Sequence, residues 1–325
     1  MQKNDFYMTL LILVLVLVIA RCAYGMIGSS NSEEKYQVSV LVDNGTSERY
    51  ISLRTGLEQA AQEFGVELNY ISSGTLTSLE EEEILINKEL DNGADGLIVQ
   101  MVSSFNAEEY LENVAARASL VLIENEVYPE NVYSSVLPDN YVMGQELGQQ
   151  IVKDYGNALS ELSIGVVTGK QSELAMQQRV RGLRSGLGSY GRRIVWSMDT
   201  QGDEMTQLLQ EKMKKQRADI LVALENDRTE QAVDFLTLEN IDPEECVLYG
   251  IGCSEKNVYY VDQGKIRVLV VVNEYNMGYL SLEQLVKQIS FRSNTPVQLN
   301  TNYLIIDREN MYEEENQKQL FPLVQ

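Results

Sequence analysis

The sequence predicts an α/β protein made of two similar halves, each a parallel sheet with helices on both faces. Short apolar runs of strand length alternate with amphipathic helical segments almost without interruption, and parallel neighbours require right-handed crossovers that place helices on both sheet faces. One strand in each half is entered in the same way, by Asn92-Gly93-Ala94-Asp95 and by Gln216-Arg217-Ala218-Asp219. No long Gly/Ser or Pro-rich linker separates the halves, which predicts a hinge of several short crossings.

The elements follow in order. Val38 to Val42 reads as a buried strand, and Leu53, Leu57, Ala60, Ala61 and Phe64 then share one helical face that Gly65 ends as a left-handed cap. Glu67 to Ile71 is the next strand. A helix through Ile84, Leu85 and Leu90 stops at Asn92-Gly93 before the strand Gly96 to Gln100, and a helix near Ala107 to Ala116 precedes the strand Leu120 to Glu124. In the second half, a helix carrying Met143, Leu147, Ile151 and Tyr155 ends at Gly156 and leads into the strand Ile164 to Val167. Val180, Leu183 and Leu187 stripe the next helix, closed by Gly188. The strand Ile194 to Ser197, the helix Glu204 to Lys214 and the strand Ile220 to Leu224 continue the rhythm. A helix from Thr229 to Leu238, the strand Val247 to Ile251, a helix near Val258, the strand Arg267 to Val272 and a helix from Met277 to Ile289 complete it.

Composition excludes several functions. The chain has 325 residues, long enough for two lobes of ordinary size, and a formal net charge of -22 that argues against nucleic acid, whose phosphates need a basic face. It contains no histidine, so no Ser-His-Asp or Cys-His nucleophile and no imidazole zinc site can be assembled. Glu80-Glu81-Glu82-Glu83 opens an amphipathic segment, where negative charge suits the helix dipole, and reads as a solvated first turn. Cys246 and Cys253 flank an extended run too long to bridge and read as inert packing residues. No metal or cofactor is expected.

Leu10 to Ala20 is an unbroken apolar run near Met1, followed by the polar linker Ser29 to Lys35. It reads either as a cleaved signal, with a small-x-small site at Ala23-Tyr24-Gly25, or as a retained anchor reaching Ile27 with Arg21 snorkelling. Lipidation at Cys22 is disfavoured by Arg21 before it. Both readings place the acidic body outside the cytoplasm, with residues 1–36 as leader or anchor plus linker.

Six segments then resemble the type 1 periplasmic sugar-binding proteins, relatives of the ribose-binding protein and of the ligand domains of sugar-responsive repressors. They are Asn92 to Val99, Pro138-Asp139-Asn140-Tyr141-Val142-Met143-Gly144, Arg179-Val180-Arg181-Gly182-Leu183, Asn226-Asp227, Gly264-Lys265-Ile266, and Asn276-Met277-Gly278-Tyr279. The resemblance implies two Rossmann-like lobes joined by a three-segment hinge, residues 37–138 with 273–298 and residues 139–272 with 299–325. It implies a non-catalytic protein that closes on a small polar ligand, a sugar, and presents it to a membrane permease or a sensor histidine kinase. A ligand-sensing domain related to the repressors is the alternative, but no helix-turn-helix precedes Tyr36.

Carried over position by position, the resemblance places Tyr50, Gln100, Glu124, Asn125, Asp139, Arg179 and Asn226 at the ligand. Asp139 also reads as a helix cap, and Asn226 equally as cap or cleft residue. Asn125 stands where the family has an arginine, Arg49 where it has an aromatic, Gly252 where it has an aspartate and Val272 where it has a glutamine. Those departures imply a ligand unlike the family's usual one, with fewer hydroxyls.

Overall fold

The computed structural model describes residues 35–42, 50–71, 74, 76, 78–127, 133–169, 173–199, 204–292 and 295–320. The expectations for Leu10 to Ala20, Arg21, Cys22 and Arg49 lie outside these residues. The chain divides after Tyr36, and the account below concerns the body from Gln37 onward. Among the described residues no helix is long and apolar enough to cross a membrane.

The body holds two six-stranded sheets. The first is built from β1 (Gln37–Leu41), β2 (Glu67–Tyr70), β3 (Gly96–Val99), β4 (Ser119–Ile123), β5 (Ser134–Pro138) and β11 (Gln298–Thr301), in the order β11-β5-β4-β3-β1-β2, all parallel. The second is built from β6 (Ile164–Thr168), β7 (Ile194–Asp199), β8 (Ile220–Ala223), β9 (Val247–Ile251), β10 (Val268–Val272) and β12 (Tyr303–Ile306), in the order β12-β10-β9-β8-β6-β7. Only its edge strand β12 runs antiparallel. Near-continuous Val, Ile and Leu runs explain why β3, β8 and β10 sit inside their sheets, since a parallel strand is covered on both faces.

Each sheet is flanked by helices in chain order. α1 (Ile51–Phe64), α2 (Leu79–Asp91) and α3 (Glu108–Ala115) belong to the first sheet; α4 (Asn140–Tyr155), α5 (Leu174–Leu187), α6 (Met205–Lys215), α7 (Asn226–Leu238) and α8 (Glu255–Asp262) belong to the second. α9 (Glu274–Phe291) returns to pack on α1 and the first sheet, and α10 (Glu314–Leu320) ends the described chain. Gly65, with φ of 69°, caps α1 as the sequence leads one to expect.

The chain passes between the sheets at Pro138-Asp139, at Asn273 and at Asn302. β11 lies wholly in the first sheet, so the third passage falls after Thr301 rather than after residue 298. The passages are tied to one another. Asn273 N–H donates to the Asn302 carbonyl at 3.0 Å, and the Thr301 hydroxyl donates to the Asn273 carbonyl at 3.0 Å.

One expectation is corrected in α2. Glu80, Glu81 and Glu83 are exposed, but Glu82 is fully buried and its carboxylate accepts a 2.7 Å bond from Val102 N–H. Glu82, Ile86, Glu89 and Leu90 follow helical spacing on the inward face, so the acidic run is not a uniform solvated turn. Glu89 is buried as well, accepting from the Ser39 hydroxyl at 2.8 Å and from Asn69 Nδ2 at 2.6 Å. Buried carboxylates persist because each finds donors.

Candidate ligand-binding cleft

The carboxyl ends of strands from both sheets meet at one narrow recess with about 20 Å³ of free space, partly open to solvent. Glu124, Pro138, Met277 and Glu274 approach it from the first lobe and the crossings; Arg179, Asn226, Ile251, Gly252, Cys253 and Val272 approach it from the second. A crevice beyond the carboxyl ends is where open parallel sheets take ligands, because strand-to-helix loops there can present polar groups without breaking a ladder.

Glu124 follows β4 directly and holds φ of +64°, a conformation uncommon for a residue with a Cβ. Its carboxylate accepts a 2.7 Å bond from Gln100 Nε2, and Gln100 Oε1 accepts a 2.8 Å bond from the Tyr50 hydroxyl. All three side chains are buried. The chain Tyr50 to Gln100 to Glu124 brings together three of the residues expected at the ligand. Only Glu124 lines the recess; Gln100 and Tyr50 stand behind it and aim the carboxylate. A polarised chain of this kind fixes one orientation of the terminal acceptor.

Arg179 is carried into the cleft by α5 and is 5% exposed. Its Nε donates to Asn140 Oδ1 at 2.7 Å and its Nη1 to the Leu224 carbonyl at 2.9 Å. These bonds rule out a surface ion pair, the alternative for an arginine on a helix. They also draw in Asn140, which is buried at the first position of α4. Its neighbour Asp139 is exposed and caps α4 by accepting from Val142 N–H at 3.0 Å. Asp139 lines a different recess, beside the hinge.

Asn226 lines the cleft while organising its wall. Its Oδ1 accepts 3.0 Å bonds from Cys253 N–H, Ser254 N–H and Asn257 Nδ2, which hold the loop between β9 and α8 against the start of α7. This explains the glycine at 252, because a Cβ there would lie 2.5 Å from Asn257 Nδ2. Asn257 occupies the space an aspartate side chain would need. Asn125 is buried behind the cleft, donating to the Met101 carbonyl at 3.1 Å, and does not line it.

Two wall residues escaped the sequence reading. Glu274, in the first turn of α9, is 4% exposed and accepts from the Cys253 thiol at 2.9 Å, a bond that spans the two lobes. Leu174 N–H to the Ser104 hydroxyl at 3.0 Å and Gln178 Nε2 to Glu126 Oε2 at 2.7 Å are further ties across the mouth. Cys253 therefore lines the cleft as well as packing against the core of the second lobe, whereas Cys246 is buried within that core. Burial pushes the Cys246 thiol up to about 12. Iodoacetamide at mildly alkaline pH is thus expected to modify Cys253 and spare Cys246 within the body, with a bound ligand slowing the Cys253 reaction. Peptide mass mapping over time checks this, and equal rates with and without ligand would place Cys253 away from it.

Two lobes, three crossings and a polar recess at strand ends define a two-lobed α/β fold of the binding-protein type. The chain belongs to the periplasmic binding protein domain family, whose model matches residues 38–293. Among solved structures it is similar to a carbohydrate transporter solute-binding protein from Agrobacterium radiobacter in complex with D-arabinose, with a TM-score of 0.79 and 13% identity over 89% of this chain and 100% of that one. It is also similar to GanP, a glucose-galactose binding protein from Geobacillus stearothermophilus, with a TM-score of 0.76 and 20% identity over 86% of this chain and 100% of that one. A chain of the XylFII-LytSN complex matches with a TM-score of 0.73 and 15% identity over 85% of this chain and 98% of that one. No curated protein sequence matches the chain.

Proposed function

We propose that the protein is an extracytoplasmic receptor that captures a small polyhydroxylated ligand, a sugar or close relative, between its lobes and presents the closed form to a membrane partner. The observation that carries the reading is the cleft itself: an oriented carboxylate at Glu124, a buried guanidinium at Arg179 and the amide of Asn226 around one recess. Fixed donors and acceptors of both kinds suit hydroxyl groups, which donate and accept at once. Without histidine no Ser-His-Asp or Cys-His nucleophile and no imidazole zinc site can be assembled.

Structural relatives named for D-arabinose and for glucose and galactose support the ligand class. The partner is either a transporter permease or a sensor kinase. Likeness to a chain solved in the XylFII-LytSN complex supports a docked protein partner for the fold, and a retained anchor at residues 1–36 would suit sensing.

A thermal-shift screen of the body against pentoses, hexoses and inositols tests the ligand class. A true ligand at about 100 times its dissociation constant adds ~2.7 kcal/mol of stability and raises the melting temperature accordingly. If amino acids shift the transition and no sugar does, the sugar reading is wrong.

A further inference from the structure

Asn140 stands where the hinge meets the cleft. The cleft leaves about 20 Å³ free, little more than a single water requires, so a ring-sized ligand enters only when the lobes part. Parting them turns the first crossing, at Pro138-Asp139. Pro138 belongs to the first sheet through its pairing with Thr301, whereas Asn140 opens α4 of the second lobe. The 3.3 Å bond from Asn140 Nδ2 to the Pro138 carbonyl therefore spans the crossing. On its other side the same amide accepts from Arg179 Nε at 2.7 Å.

Helix capping does not account for this side chain. Asp139 already caps α4, and Asn140 is turned inward and 2% exposed. The crossing at Asn273 is built in the same way. Asp139 holds φ of -74° and ψ of 84°, Asn273 holds φ of -78° and ψ of 83°, and each accepts from the N–H three residues on. Each also sends the next residue, Asn140 or Glu274, into a buried position. At the first crossing that residue is an amide, whose planar group offers an acceptor and a donor at once. Turned over, it would set its NH2 against Arg179 Nε–H and its oxygen against the Pro138 carbonyl. Both bonds hold in one orientation only.

We propose that Asn140 is a positioning residue that ties the orientation of the Arg179 guanidinium to the angle of the first crossing. The main chain at Arg179 is pressed against α4, since a Cβ at Gly144 would lie 2.2 Å from the Arg179 carbonyl oxygen, so the side chain is the part left to respond. With the Pro138 bond made, the amide is held with its oxygen toward Nε. When the crossing turns and that bond breaks, the amide rotates and the guanidinium loses a fixed partner. The donors of Arg179 are thus set for a ligand only as the lobes close. This role rests on the reading of the recess as the ligand cleft, but it is tested without any ligand, so a failed sugar screen and a failure here are separate results.

Two substitutions separate the two bonds. Asn140→Asp keeps an acceptor toward Arg179 whichever way it turns and sets its other oxygen against the Pro138 carbonyl; Asn140→Ala removes both bonds. Exchange of Arg179 Nε–H with water, followed by 15N NMR and assigned from Arg179→Lys, reports the guanidinium. Energy transfer between dyes on non-natural residues at Ile84 and Leu238, both exposed and one in each lobe, reports the lobe angle. Asn140→Asp is expected to open the lobes while Nε–H exchange keeps the parental rate. Asn140→Ala is expected to open them and speed exchange about tenfold or more, as loss of a bond to a charged group predicts. Thr301→Val removes the hydroxyl bond to the Asn273 carbonyl and loosens the hinge without touching the amide. It should speed exchange when residue 140 is Asn and not when it is Asp. Lobes that open in Thr301→Val with exchange unchanged overturn the coupling. Asn140→Asp with a parental lobe angle, or with exchange as fast as in Asn140→Ala, overturns it as well, and should the alanine variant fail to fold, the two readouts of the near-isosteric aspartate variant decide.

Discussion

Arg179→Ala is expected to abolish measurable ligand binding and to destabilise the protein by about 3 kcal/mol. The guanidinium lies at the cleft wall, but it also satisfies Asn140 Oδ1 at 2.7 Å and the Leu224 carbonyl at 2.9 Å, joining α4, α5 and the end of β8. Hydrogen bonds to a charged donor are worth roughly 1.5–3 kcal/mol each, and truncation leaves two buried acceptors without partners. Relief of the cost of burying a guanidinium offsets part of the loss. An arginine that served only as a ligand contact would lose binding with its fold intact; the burial of Arg179 couples the two losses. Urea denaturation and titration calorimetry measure the two effects. Arg179→Lys separates them further, since one ammonium cannot reproduce two divergent bonds. A variant as stable as the parent would mean that the two bonds carry no net energy.

Gly182→Ala is expected to cost about 3 kcal/mol or more, although alanine is the better helix former. A Cβ at Gly182 would lie 2.0 Å from the Tyr141 carbonyl oxygen and 2.8 Å from Gln145 N, and both are backbone atoms of α4 that cannot swing aside. Gly144 faces the Arg179 carbonyl in the same way at 2.2 Å. The helices α4 and α5 therefore touch backbone to backbone, and separating them disturbs a core containing Met143, Leu147, Leu183 and Leu187. Overpacking costs typically ~1–3 kcal/mol and more where nothing can relax, against a gain of about 1 kcal/mol in helix propensity. Gly191→Ala is the control, because its nearest outside atom is the Arg184 carbonyl oxygen at 3.6 Å. It should stay within about 0.5 kcal/mol of the parent. Equal effects of the two substitutions would refute the close-contact account.

The same glycines explain what the family resemblance carries. Gly144 and Gly182 lie in two of the six segments, and Gly278, in a third, would place a Cβ 2.3 Å from the Leu53 carbonyl oxygen of α1. Gly93 and Gly264, in two more, hold φ of +91° and +71°. Five of the six segments thus record backbone requirements of the fold, which is why the fold was legible where the ligand was not.

Legibility failed for physical reasons at the hinge. β5 begins Ser-Ser and ends in proline, and β11 alternates Gln298 and Asn300 with Leu299, so neither has the apolar run that marks a central strand. Glu124, Arg179 and Asn226, which line the recess, each follow a strand or open a recognisable segment. Glu274 reads in sequence as an ordinary acidic first turn, and Cys253 as a small hydrophobe. Only the crossing at Asn273, which turns α9 toward the cleft, makes them neighbours. Asp139 and Asn140 differ by one position on the helix start, and that single step sends one carboxylate to solvent and the next amide to Arg179.

The third crossing also bears on the order in which the molecule can be completed. α9 covers β3, β4 and β5, and β11 closes the edge of the same sheet, yet these two elements are the last pieces of the first lobe to leave the ribosome, after every strand of the second sheet except β12. Until Phe291 has been synthesised, residues 37–138 have an uncovered apolar sheet face and no cooperative reason to close. The lobe encoded first is therefore expected to finish late. A first lobe that stays open until its last helix and strand are made leaves that part of the chain threadable for longer, and topology alone supplies the delay.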